Sequence, residues 1–135
     1  MRQKLDPRIS VCIVFVAAMF MSIMDSTIVN VALPSLARQL SVPNTSIDAV
    51  VVAYLVSLAV VIPVSGWLGD RWGTKRVFLI ALALFSVSSA LCGLAGSFTM
   101  LVLFRVLQGA AGGALTPVGT AILYRTFPPE QRVQV

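Results

Sequence analysis

The 135-residue chain has no histidine, two cysteines and five acidic residues against ten basic ones, and only 11% of its residues are charged. Without histidine, the Ser-His-Asp arrangement and the usual zinc and haem ligand sets are excluded. So few acids leave little for acid–base catalysis, and neither an enzyme nor a cofactor is expected. Cys12 and Cys92 form no Cys-x-x-Cys pair. They fall at opposite depths of the apolar runs described next, too far apart for a disulfide. What is abundant is apolar surface: 58% of residues are hydrophobic and the mean hydropathy is +0.93, far above a soluble domain. The composition is that of a membrane protein.

Four runs are long enough to cross a hydrocarbon core of roughly 30 Å: about 9–33, 49–68, 77–95 and 100–124. The fold class expected is therefore all-α, with four transmembrane helices. Arg2, Lys4 and Arg8 ahead of the first run imitate the basic start of a secretory signal peptide. The run is too long for one, no Ala-x-Ala-like site closes it, and three more spans follow, so it reads as a retained helix.

The net charge of +5 does not indicate nucleic acid, since the basic residues lie in loops and not on one exposed face. Arg2, Lys4, Arg8, Arg71, Lys75, Arg76, Arg125 and Arg132 all fall on one side of the membrane if the spans alternate. Only Arg38 falls on the other side, and Arg105 lies within a span. The positive-inside rule then puts both ends of the chain in the cytoplasm, and the expected location is the plasma membrane. The connections are short and turn-like, around 41–46, 96–97 and 127–130. Asn44-Thr45-Ser46 fits a glycosylation sequon but reads as a cap for the second helix.

Asp25 and Arg105 are the residues that need a reason, because a charge at a helix centre costs about 2.5 to 3.5 kcal/mol on insertion scales. On the first helix Ala18, Ser22, Asp25, Ser26, Val29 and Asn30 fall within an arc of about 140°. On the fourth, Arg105, Gln108, Gly109, Gly112, Gly113 and Thr116 share one face. Both faces suit a water-lined cavity. A rise of about 1.5 Å per residue puts Asp25 roughly 24 Å and Arg105 roughly 22 Å from the inner boundary, so the two charges are expected to meet. Their pairing would offset part of each other's desolvation. A carboxylate that loses its guanidinium partner in a buried site takes up a proton, and this makes Asp25 a candidate proton switch. The alternative is a static pair that holds two helices in register.

Gly109 and Gly113 form Gly-x-x-x-Gly, with Gly112 beside them, and predict close approach of another helix. Pro63 and Pro117 are candidate bending points. Met19, Met21 and Met24 read as core- or lipid-packing residues in preference to a promiscuous pocket. Between the second and third spans, Gly66, Gly69 and Gly73 read as a glycine hinge in which all three permit positive φ and close contact. Asp70 there, amid Arg71, Lys75 and Arg76, can cap a helix or pair with arginines across an interface. This stretch is expected to be an inner-face hinge or latch and not a substrate site.

The stretch from Gly66 to Arg76 resembles the signature of the major facilitator superfamily, Gly-x-Leu-(Ala/Gly)-Asp-(Arg/Lys)-x-Gly-basic-basic, departing from it at Thr74, where a basic residue is usual. Arg105-Val106-Leu107-Gln108-Gly109 looks like the fourth-helix motif that the family associates with proton coupling. Asp25 to Pro34, Asp-Ser-Thr-Ile-Val-Asn-Val-Ala-Leu-Pro, is similar to the first-helix motif of its fourteen-helix drug/proton antiporter branch. The resemblance implies two six-helix halves around a central cavity, rocking in alternating access. Residues 1–135 would then be the N-terminal part of such a carrier, whose partners are the lipid bilayer, a small-molecule substrate, protons and the helices that follow. Export is expected from the Asp25 motif. A nutrient symporter of the same superfamily is one alternative. A stand-alone four-helix protein that oligomerises through Gly109 and Gly113 is the other.

Overall fold

A computed structural model describes residues 6–130; Arg2, Lys4, Arg132 and the chain end at 131–135 lie outside the described residues. The described residues form four helices, α1 (Pro7–Gln39), α2 (Asn44–Trp72), α3 (Thr74–Gly93) and α4 (Phe98–Thr126). All four are long and apolar enough to cross a membrane. Two starts are capped by short polar side chains. Asp6 accepts from the Arg8 amide at 3.0 Å with Pro7 in the first turn, and Ser97 accepts from the Met100 amide at 3.2 Å.

Three boundaries differ from the sequence reading. α1 runs past Pro34 to Gln39; proline removes one backbone hydrogen bond, which a membrane helix tolerates. The cap position of α2 is Pro43, and Asn44 is already helical, so Asn44 does not cap. The glycine-rich stretch is not a loop. α2 continues through Gly66, Gly69, Asp70 and Arg71 to Trp72, and α3 begins at Thr74. Gly73 alone makes the connection, with φ +91° and ψ 131°. That backbone region is essentially open to glycine only. Gly66 has ordinary helical surroundings with nothing within 4 Å of an added Cβ, and Gly69 meets only the Thr74 methyl at 3.4 Å. The hinge is thus one residue where three were expected.

α4 is the most buried helix and α1 the least. The reason is composition: Gly109, Ala111, Gly112, Gly113 and Ala114 leave α4 almost without side chains over two turns, so its neighbours come close. A Cβ on Gly109 would collide with the Tyr54 carbonyl oxygen of α2, and one on Gly113 would lie 2.7 Å from the Leu58 carbonyl oxygen. On another side of α4, a Cβ on Gly112 would meet the Tyr54 hydroxyl at 3.0 Å and the Phe85 ring of α3 at 3.5 Å. Ser57 of α2 adds a hydrogen bond to the Val106 carbonyl at 2.6 Å. The Gly-x-x-x-Gly face is therefore occupied by α2 within the chain, which leaves it closed to oligomerisation through that face.

The core has two parts. One gathers Ala18, Tyr54, Phe78, Phe85, Leu115 and Val118 around α4. The other joins Ala37 of α1 with Ile47 and Val50 of α2 and Leu101 of α4. Outward, α1 presents Val16, Phe20, Ile23, Ile28 and Val31, all more than half exposed. Apolar surface of this extent suits a hydrocarbon surrounding or further helices.

Candidate functional site: a buried ion pair at the meeting of four helices

Each helix contributes to one polar cluster in an apolar bundle. Arg105 Nη1 of α4 donates to Asp25 Oδ2 of α1 at 2.9 Å and to Gln108 Oε1, one turn further along α4, at 2.7 Å. The guanidinium lies over the Tyr54 ring of α2, 4.3 Å from its centroid. From α3, Ser89 Oγ donates to Asp25 Oδ1 at 3.4 Å and Cys92 Sγ to Gln108 Oε1 at 3.6 Å. The Arg105 side chain is 3% exposed and that of Asp25 11%. Burial of this degree makes the charges strongly interdependent, since neither has solvent to fall back on.

The cluster is not fully satisfied. Arg105 Nε and Gln108 Nε2 are buried donors without a hydrogen-bond partner. Leaving a donor unpaired is costly, so unpaired buried donors call for an explanation such as stored strain or a functional role. Beside the pair opens a crevice of 340 Å³, mostly apolar, which reaches Asp25, Ser89, Cys92 and Arg105 along one wall. Met21 and Met24 border it, and Met21 also packs against the core around α4.

The structure brings Asp25, Arg105 and Gln108 together and leaves Asn30 out. Asn30 is exposed on α1 and does not border the crevice. The α4 face expected to line water is instead a packing face: Arg105, Gln108, Gly109, Gly112 and Gly113 are buried against α2 and α3, and only Thr116 is exposed. Glycine presents no side chain to a cavity, and the groove it leaves is filled by a neighbouring helix. Tyr54 and Ser89 were not singled out by sequence, and Cys92 was weighed only as a disulfide partner. The signals were there: Tyr54 is the only tyrosine in the second span, and Ser89 and Cys92 sit three residues apart on one face of the third.

Near the α2–α3 connection, Asp70 Oδ1 lies 3.9 Å from Arg125 Nη2 at the end of α4, with both side chains largely exposed. An exposed pair of this length contributes little by itself. Arg125 Nη1 also donates to Thr74 Oγ1 at 2.8 Å. Thr74, the departure from the family pattern, therefore ties the start of α3 to the end of α4. Arg71 stacks over the Trp67 ring, its guanidinium carbon 5.2 Å from the centroid. Lys75 and Arg76 are exposed at the same end.

Residues 15–135 match the Major Facilitator Superfamily. The chain belongs to that superfamily. Among curated members it is 44% identical to "Multidrug export protein EmrB" of Haemophilus influenzae over 115 residues, which covers 85% of this chain and 22% of that relative. It is 43% identical over 112 residues to "Putative multidrug resistance protein MdtD" of Salmonella newport, covering 83% of this chain and 24% of the relative. The chain thus spans about a quarter of the length of these superfamily members. Their names concern multidrug export and resistance, and the chain is a multi-pass membrane protein of the same superfamily.

Proposed function

We propose that the chain is the N-terminal part of a proton-coupled exporter of drugs or other small molecules, with Asp25 as the group that takes up the proton. The observation that carries this reading is the buried Asp25–Arg105 pair facing the crevice. In the paired state both charges are compensated. When a rocking motion separates α1 from α4, Asp25 becomes a lone buried anion and is neutralised by a proton. Arg105 cannot respond in that way, because a guanidinium stays charged. Proton uptake and helix separation are then two descriptions of one event, and a proton gradient can bias which way the cavity opens. The pair alone would serve an importer equally well; the names of the relatives favour export.

Gly73, the Asp70–Arg125 pair and Thr74 form an inner-face hinge and latch in this reading, with Gly66, Gly69, Arg71, Lys75 and Arg76 around them. Arg8, Arg71, Lys75, Arg76 and Arg125 belong to helix ends that alternate onto one side of the bundle, while Arg38 sits at the opposite end. By the positive-inside rule that basic end is cytoplasmic, in a plasma membrane. The test is transport. In inside-out vesicles bearing the carrier that contains this chain, acidifying the lumen drives drug accumulation, and Asp25→Asn is expected to reduce it to background. Accumulation at the wild-type level in that variant would remove Asp25 as the switch.

A further inference from the structure

We infer that Tyr54 is a positioning residue for the proton switch: its ring holds the Arg105 guanidinium when Asp25 is neutral, and so sets how readily Asp25 accepts a proton. The inference rests on the proton-switch reading above and adds a third partner to it. Three observations lead there. The guanidinium carbon of Arg105 stands 4.3 Å from the Tyr54 centroid, within the range at which a cation is attracted to the ring face. Arg105 and Tyr54 are both buried, where such an attraction is strongest because water does not compete. The Tyr54 side chain also packs closely against α4, since its hydroxyl lies 3.0 Å from where a Cβ on Gly112 would sit, and its backbone carbonyl abuts Gly109.

The consequence follows from counting what Arg105 keeps. With Asp25 ionised, the guanidinium has a carboxylate, the Gln108 carbonyl oxygen and the ring. With Asp25 protonated the carboxylate charge is gone, and one carbonyl oxygen and the ring remain. Arg105 Nε has no acceptor in the paired state. Removing the ring therefore destabilises the protonated state more than the paired one, because the paired state retains its counter-ion. Protonation then requires more acid. The charged or titratable groups around the pair are Asp25 on α1, Tyr54 on α2, Cys92 on α3 and Arg105 on α4. Of these, Tyr54 alone presents a ring to the guanidinium.

The carrier that contains this chain is titrated in lipid nanodiscs by infrared spectroscopy, and the protonated-carboxyl band that Asp25→Asn abolishes is followed against pH. Tyr54→Leu is expected to move the midpoint of that band to lower pH by about one unit, the scale set by a buried cation–ring contact. Tyr54→Phe, which keeps the ring, is expected to leave it in place. Tyr54→Met fills similar volume without a ring and is the readout if the leucine variant fails to fold by circular dichroism; the same acid shift is expected. A midpoint that ignores loss of the ring, or one that moves as far with phenylalanine as with leucine, overturns the role of the ring. A carboxyl band absent from the wild-type carrier at every pH would instead overturn the switch itself and this role with it.

Discussion

Gly109→Val is expected to break the α2–α4 interface, whereas Gly66→Ala in the same bundle is expected to cost nothing. The first added carbon at Gly109 already collides with the Tyr54 carbonyl oxygen and comes within 3.1 Å of the Ser57 Cβ. Backbone cannot swing aside as a side chain can, so α4 must move away from α2 as a whole. That separation loosens the Ser57–Val106 hydrogen bond at 2.6 Å and opens the Gly113–Leu58 contact beyond it. Overpacking alone costs about 1–3 kcal/mol, and the branched carbons of valine add to it. At Gly66 nothing lies within 4 Å, and alanine in place of glycine within a helix gains up to about 1 kcal/mol. Thermal unfolding of the purified variants in detergent measures the difference. Equal midpoints for Gly109→Val and Gly66→Ala would contradict the packing described.

The second large effect is an asymmetry between the two halves of the ion pair. Arg105→Met leaves Asp25 without its cation, and breaking a buried pair costs about 3–5 kcal/mol. Asp25 has an escape, because protonation neutralises it. The loss is therefore expected to be large at neutral pH and to shrink as the pH falls. Asp25→Asn leaves Arg105 charged at any accessible pH and removes the titrating carboxyl, so the variant's own unfolding midpoint is expected to stay constant on acidification. Part of its loss of stability is offset by the asparagine carbonyl, the Gln108 carbonyl oxygen 2.7 Å away and the Tyr54 ring. The double variant Asp25→Asn/Arg105→Met removes both charges and is expected to be more stable than Arg105→Met at neutral pH. Unfolding midpoints of the three variants between mildly acidic and neutral pH decide it. A loss in Arg105→Met that is independent of pH would mean that Asp25 does not protonate when its partner is removed.

The spans were legible because length and hydropathy are one-dimensional properties, and the four runs read from the sequence lie almost entirely inside the four helices. The Asp25–Arg105 contact was legible for a related reason. A helix has a fixed rise, so two charges at similar depth on neighbouring spans have little choice but to pair. Tyr54 was not legible in that way, since aromatic stacking depends on how α2 is rotated about its axis, and rotation is set by the Gly109–Gly113 groove of a different helix. The Gly66–Arg76 stretch misled through its composition. Glycine and charge usually mark a loop, yet α2 keeps its backbone hydrogen bonds through Gly69 and Asp70, and only Gly73 leaves helical φ and ψ. α1 also runs beyond the apolar stretch that marked it, through Pro34 to Gln39, because a membrane helix absorbs a proline. The α4 glycines pack against α2 and α3 as their Gly-x-x-x-Gly spacing predicts, and they do not line water because a face without side chains attracts a neighbouring helix before it admits water.

In the proposed account Asp25 takes up a proton as it parts from Arg105, so a drug that favours the paired state of the carrier displaces that proton. Proton release on substrate addition tests it most directly. The purified carrier that contains this chain is held in unbuffered solution at slightly acidic pH, drug is added, and the pH change is read. Wild type is expected to release protons and Asp25→Asn none, with drug binding in the variant verified separately. Undiminished proton release from the asparagine variant would contradict the account.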